Sequence, residues 1–244
     1  MTPPPPAAAM PPARGRRAAC CAAAWGVLLA GATLPSRLRR TPGDTVPGAP
    51  LAILLSAAVP LVAGLAIAAY VARPLPGPRF RDVLGVRNGT RRSAALLACG
   101  LLAGIALAIP VQMLSALSQS LLEPIGLGAD PQPAVLWMAN PATSRAVLAA
   151  LAVSAVLLAP LAEEILYRSL LFGGLAAQGS PVRAAVLSSL FFAALHVSVP
   201  LVLPLFALSL AFCALWRRWG LPASLGAHMG FNAANAALAM LLAR

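Results

Sequence analysis

The sequence carries little charge for its length, lacks lysine, and has few acidic side chains. Of its 244 residues, 10% are charged and 60% are hydrophobic, whereas about a quarter of the residues in a soluble domain are charged. Six side chains are acidic, and all 18 basic residues are arginine. The shortage of charge and the long apolar runs exclude an ordinary soluble domain and predict an integral membrane protein.

The formal net charge of +12 would by itself suggest nucleic-acid binding. The arginines, however, lie between the apolar runs, where they determine membrane topology. We therefore predict the lipid bilayer as a partner and no nucleic acid. The use of arginine alone also suggests a GC-rich genome, which favours a bacterial inner membrane as the location.

Cysteine spacing excludes a disulfide framework and a cysteine metal site. All four cysteines lie in apolar segments, where cysteine usually acts as a small hydrophobic residue, and we assign them no chemistry: Cys20, Cys21, Cys99 and Cys213. The sequence also has no internal repeat, no glycine-rich phosphate loop and no H-E-x-x-H signature of soluble metalloproteases.

The apolar tracts predict an all-α transmembrane bundle of about seven spans (six to eight). Residues 1–17 are predicted to be a disordered basic tail, and 18–35 a first span, with a cleaved signal peptide as the alternative. Residues 18–140 would form N-terminal helices and loops, and residues 141–244 a transmembrane core that contains both histidines of the chain. The remaining apolar tracts lie near 49–72, 93–117, 145–162, 182–199, 201–216 and 221–242.

Loop charge predicts the orientation of the bundle. The loop at 73–92 contains six arginines and is predicted to be cytoplasmic, whereas the loop at 118–144 contains none and is predicted to lie outside. The "SRLRR" segment at 36–40 falls on the outside in this arrangement and does not fit it.

Few ionisable residues lie in the interior of the later apolar stretches, including the stretch Leu158–Gly174: Glu163, Glu164, Arg168, His196 and His228. A charge inside a bilayer costs roughly 2.5 to 3.5 kcal/mol on insertion scales, so such groups are functional candidates. The two histidines in this set are the only ones in the chain.

Polar and aromatic residues in these tracts are paired at a spacing of four, which places both members on one helix face. Glu164 and Arg168 can form an internal ion pair, so one carboxylate would stabilise the helix and Glu163 would be left for chemistry. The other two pairs are Phe192 with His196, and His228 with Asn232.

Each pair also has a simpler interpretation. The segment with Glu163, Glu164 and Arg168 would be a hydrated helix end at the membrane interface, starting at Pro160. His196 would be a packing histidine, and His228 with Asn232 a clamp between helices. Phe192 is expected to pack in either case. Because all three pairs occur in the later apolar segments and include every histidine, we favour one convergent site.

Two chemistries fit such a site. A carboxylate and an imidazole can together deprotonate a water molecule, while a second imidazole and a carboxamide can donate hydrogen bonds to an oxyanion. Alternatively, one divalent metal such as zinc would be held by Glu163, His196 and His228, which is a common catalytic zinc set. The residues themselves do not decide whether a cofactor is present.

The motifs resemble those of a known family. "EEILYR" matches E-E-x-x-x-R, "FFAALH" matches F-x-x-x-H, and "HMGFN" matches H-x-x-x-N of the CPBP intramembrane proteases, also called the Abi or type II CAAX prenyl endopeptidase family. The resemblance covers roughly 145–242. One departure is Ser169, since the residue after the motif arginine is often glycine in the family.

The resemblance implies a helical intramembrane endopeptidase that hydrolyses membrane-associated proteins or peptides and opens toward the cytosol. Glu163 would be the general base, assisted by His196, while His228 and Asn232 would form the oxyanion site. Glu164, Arg168 and Phe192 would have supporting roles. The family has been described both as metalloproteases and as metal-independent glutamate proteases. Two rival interpretations are a proton relay or transporter, and an inactive membrane scaffold.

Overall fold

A computed structural model describes residues 10–38, 50–73, 80–128 and 133–242. These residues form nine helices and no strand, when the contiguous segments between Arg145 and Ala176 are taken as one helix. The helices are α1 (Pro12–Leu38), α2 (Pro50–Val71), α3 (Phe80–Val83), α4 (Thr90–Leu122), α5 (Pro133–Ala139), α6 (Arg145–Ala176), α7 (Pro181–Ala194), α8 (Val199–Trp219) and α9 (Leu221–Leu242). The predicted all-α class is confirmed.

Four of the described helices are long and apolar enough to cross a membrane, namely α2, α4 with the 3₁₀ turn that follows it, α6 and α8. Helix α7 is apolar but shorter, with 14 residues. These helices agree with a helical membrane bundle, whereas the predicted total of about seven spans stays a prediction.

Two boundaries differ from the sequence-based expectation. The tract at 145–162 was expected to end before the E-E-x-x-x-R motif, but α6 continues through Pro160 and the motif to Ala176. Helix α1 begins at Pro12, within the predicted tail. Its first turns pack closely against α6, as is evident from Gly15, where an added Cβ would collide with the carbonyl of Gly174.

Helix α6 is not a regular α-helix. It is wound as a π-helix at Ser154–Leu158 and again at Glu164–Phe172. A proline inside a helix clashes with the carbonyl four residues earlier and lacks an N–H group. The first π segment lies directly before Pro160 and widens the helix where that clash would occur. Short π segments of this kind are frequent at functional sites.

Helices α4 and α9 meet along two G-x-x-x-G patterns. Gly100 and Gly104 of α4 lie against the backbone of Ala223 and Ala227, and the glycines of α9 lie against the backbone of α4 in return. Small residues at this spacing allow two membrane helices to approach closely. The contact fixes α9, and with it the H-x-x-x-N motif, against the N-terminal half of the protein.

Arginines gather at one end of the bundle. At this end α1 and α4 begin, α6 ends and the α8–α9 turn lies, and it is tied together by a hydrogen bond from Leu221 N to Gly85 O. The described arginines that belong to this end are Arg14, Arg16, Arg17, Arg73, Arg81, Arg87, Arg91, Arg92, Arg183, Arg217 and Arg218. Arg39, Arg40, Arg79 and Arg244 lie outside the described residues. Arg37 and Arg145 lie at the opposite ends of α1 and α6, and Arg168 lies inside the bundle.

Candidate active site

The predicted pair of Glu164 and Arg168 is present and fully buried. Arg168 Nε lies 3.3 Å from Glu164 Oε1, and both side chains have no exposed surface. The alternative of a hydrated helix end is therefore wrong for these two residues. The cause is the continuation of α6 in both directions, which places the motif inside the bundle rather than at an interface.

Arg168 is enclosed by two aromatic rings and a hydroxyl group. Its guanidinium carbon lies 4.5 Å from the centre of the Phe192 ring and 5.2 Å from that of Phe212. Its Nη2 group donates a hydrogen bond of 3.2 Å to Ser209 Oγ. Cation–π contacts and a counter-ion are the usual means of retaining an arginine in a dry interior.

His228 of α9 joins this pair from a distant part of the chain. Its Nδ1 atom lies 3.0 Å from Glu164 Oε1, and its ring stacks on Phe212 with centroids 4.8 Å apart. Because Glu164 is paired with Arg168, it is ionised and can only accept hydrogen bonds. His228 Nδ1–H must therefore donate to Glu164, which leaves Nε2 for the other side of the ring.

Glu163 lies on that other side. Its Oε2 atom is 3.6 Å from His228 Nε2, and its side chain keeps 30% of its surface accessible, against 5% for His228. The distance exceeds that of an ordinary hydrogen bond, so the pair is loose. The two adjacent glutamates thus occupy different environments: one is buried and neutralised, and the other is accessible beside an imidazole.

Phe192 packs against several members of the cluster. Its ring lies 4.7 Å from that of His196, 6.3 Å from that of His228 and 5.2 Å from that of Tyr167, measured between centroids. His196 follows the last turn of α7, and its Nδ1 atom lies 2.8 Å from the Phe192 carbonyl. The expectation that Phe192 packs is confirmed. Through Phe192, the F-x-x-x-H motif contacts Tyr167 of the first motif and His228 of the third.

Asn232 lies one turn beyond His228 on α9. Its Nδ2 atom donates a hydrogen bond of 2.8 Å to the carbonyl of Ala155, in the first π segment of α6. One donor of the predicted oxyanion carboxamide is therefore already engaged with the protein backbone.

Several residues of the cluster were not predicted. Phe212 and Ser209 contact Arg168, and Tyr167 contacts Phe192. A serine and two aromatic residues in apolar tracts have no special pattern, so the sequence offers no signal for them. The carbonyl of Ala155 likewise becomes a hydrogen-bond acceptor only because of the local helix geometry.

The metal alternative concerns Glu163, His196 and His228. Among the described residues, no three His, Cys, Asp or Glu side chains form a group that could hold a metal ion. His228 directs Nδ1 to Glu164 and Nε2 toward Glu163, while His196 Nδ1 faces a backbone carbonyl. These contacts engage the Nδ1 atom of each ring and leave the Nε2 atom as the nitrogen that could face a metal. The metal alternative with Glu163, His196 and His228 stays a prediction.

Comparison with known proteins supports the motif assignment. Residues 145–234 match the family model described as type II CAAX prenyl endopeptidase Rce1-like. No curated protein and no solved structure matches the sequence. The matched segment contains all three motifs and extends from the start of α6 into α9. The match over residues 145–234 confirms that this part of the chain resembles the CPBP family.

Proposed function

We propose that this protein is an intramembrane endopeptidase of the CAAX type, which hydrolyses peptide bonds of membrane-associated proteins or peptides. The observation that carries the proposal is the pairing of an accessible Glu163 carboxylate with His228, whose opposite nitrogen is fixed by the buried Glu164. A base beside an oriented imidazole is an arrangement suited to general acid–base chemistry.

In the proposed mechanism, Glu163 accepts a proton from water as that water attacks the scissile carbonyl. When the tetrahedral intermediate collapses and the C–N bond breaks, the protonated Glu163 returns this proton to the leaving amine. His196, at the Phe192 ring, assists the base. His228, as an imidazolium with a proton on each nitrogen, donates its Nε2–H to the developing oxyanion, while Glu164 accepts from Nδ1–H and holds the ring in the orientation this requires. Such preorganised donors act strongly in a site with little water. Arg168 neutralises Glu164, so the buried network keeps its charges balanced.

The site would open toward the cytosol. Arginines dominate the end of the bundle that contains the loop after α2 and the α8–α9 turn, and arginine-rich ends of membrane proteins face the cytoplasm. His228 lies seven residues from Leu221 at that end, which corresponds to about 10 Å along a helix. A substrate anchored in the cytoplasmic leaflet would meet Glu163 at a moderate depth.

Cleavage by the purified full-length protein in lipid nanodiscs tests the proposal. We would offer a quenched fluorescent peptide that ends in a farnesylated cysteine and three further residues, the same peptide without the farnesyl group, and a mixture of bacterial membrane proteins. New peptide termini are then identified by mass spectrometry. We expect termini with the wild type that are missing with His228→Ala.

The control variant distinguishes this protein from a contaminating protease. Identical termini with wild type and His228→Ala, or none with any of the three substrates, would contradict the proposal. A chelator added to the same assay tests the cofactor. Activity retained in its presence would support water activated by Glu163 and His196 alone, whereas loss that zinc reverses would make Glu163, His196 and His228 metal ligands.

A further inference from the structure

The carbonyl of Ala155 has lost its partner within α6. In the π segment Ser154–Leu158 the N–H of Ala159 donates to Ser154 O. The next carbonyl, that of Ala155, would require the N–H of residue 160, and that residue is proline, which has none. A backbone carbonyl inside a membrane bundle needs a donor, because an unpaired one costs several kcal/mol in hydrocarbon.

The donor comes from another helix. Asn232 Nδ2 lies 2.8 Å from Ala155 O and is the partner that the structure provides for it. Asn232 is half-buried, and its position on α9 is one turn after His228. The same face of α9 therefore contacts α6 at two levels: Asn232 at Ala155, and His228 at the two glutamates eight and nine residues later.

We propose that Asn232 is a positioning residue, whose amide replaces the N–H that Pro160 lacks and thereby holds α6 in register with α9. The consequence is the placement of Glu163 beside His228, since Glu163 lies three residues after Pro160 on the same helix. This inference rests on the proposed function insofar as it concerns catalysis. The resemblance implied instead that Asn232 contacts the oxyanion.

A double-mutant cycle between Asn232 and Pro160 separates the two roles. Alanine at 160 restores a backbone N–H, so the carbonyl of Ala155 can find a donor within α6. We expect Asn232→Ala to lower kcat/KM roughly a hundredfold, the scale for a misplaced reacting group, and to cost about tenfold or less in the Pro160→Ala background. Non-additivity of this kind indicates a direct coupling.

Thermal unfolding gives a second readout that does not depend on activity. We expect Asn232→Ala to lower the unfolding midpoint on the order of 5 °C, because the partly buried carbonyl of Ala155 loses its donor. The loss should shrink when Pro160→Ala is present. Pro110→Ala, in the middle of α4, is the matched proline control and should leave the cost of Asn232→Ala unchanged.

The pH profile of kcat/KM distinguishes positioning from direct contact with the oxyanion. Movement of Glu163 relative to His228 should shift the profile of Asn232→Ala, whereas loss of an oxyanion donor lowers the rate equally at every pH. Asn235→Ala is the matched asparagine control, since Asn235 donates to Phe231 O and accepts from Gln112 of α4 instead of bonding to α6. Its profile should match that of the wild type.

Failure of the positioning role can be distinguished from failure of the proposed peptidase function. A cost of Asn232→Ala that is equal in both backgrounds, with an unshifted pH profile, would overturn the positioning role. If Pro160→Ala removes activity by itself, or if the wild type cleaves nothing, the unfolding cycle decides alone. Coupled midpoints would then support the inference, and additive midpoints would overturn it.

Discussion

His228 Nδ1 lies 3.0 Å from Glu164 Oε1, although 64 residues separate them in the chain. This contact connects the first and third motifs through the carboxylate that faces away from the accessible part of the site. Since Glu164 also neutralises Arg168, one buried side chain both balances a charge and orients an imidazole. Glu163 has neither role, and its carboxylate remains accessible beside the same ring.

The first prediction concerns the buried charge pair. Glu164→Leu should destabilise the protein by roughly 3 to 5 kcal/mol, because Arg168 is left buried without a counter-ion. The double variant Glu164→Leu/Arg168→Met should recover a large part of that loss. Chemical unfolding in detergent micelles measures both. A double variant no more stable than Glu164→Leu would show that the ion pair is not what stabilises this region.

The second prediction concerns the α4–α9 contact. Gly104→Ala should lower both thermal stability and cleavage, because its Cβ would collide with the Ala227 carbonyl next to His228. The expected cost is about 1 to 3 kcal/mol, as for other overpacked sites. Gly89→Ala is the matched control, since nothing lies within 4 Å of a Cβ there. Equal behaviour of the two variants would contradict close packing at Gly104.

The third prediction concerns membrane orientation. In a variant whose native cysteines are replaced by alanine, a cysteine at Gly89 should escape a membrane-impermeant maleimide applied to intact cells. A cysteine at Leu127, which is 43% exposed at the opposite end of α4, should be labelled. The reason is the excess of arginine at the Gly89 end. The reverse labelling pattern would invert the proposed topology.

The fourth prediction concerns the nucleophile. Ser169, the serine nearest the motif in sequence, is 1% exposed and donates its hydroxyl to Leu84 O at 2.8 Å. Ser169→Ala should therefore retain activity, and reagents directed at serine or cysteine should not inactivate the protein. Inactivation that is stoichiometric with modification of a single serine or cysteine would indicate a covalent intermediate instead of attack by water.

The sequence was sufficient for the helical class, the Glu164–Arg168 pair and the family resemblance, because residues four apart share a helix face whatever surrounds them. It was insufficient for the contact between Glu164 and His228, which depends on how α6 and α9 pack. The widened turn before Pro160 was also missed, since apolar residues show the same pattern in α- and π-helices. The paired glycines at 100, 104, 226 and 230 were a readable signal of that packing.

The most direct test compares Glu163→Gln with Glu164→Gln in the same cleavage and unfolding assays. The two variants carry the same chemical change at adjacent positions. We predict that Glu163→Gln unfolds like the wild type and cleaves no substrate, whereas Glu164→Gln unfolds more easily. A Glu163→Gln protein that cleaves at the wild-type rate would contradict the assignment of Glu163 as the base.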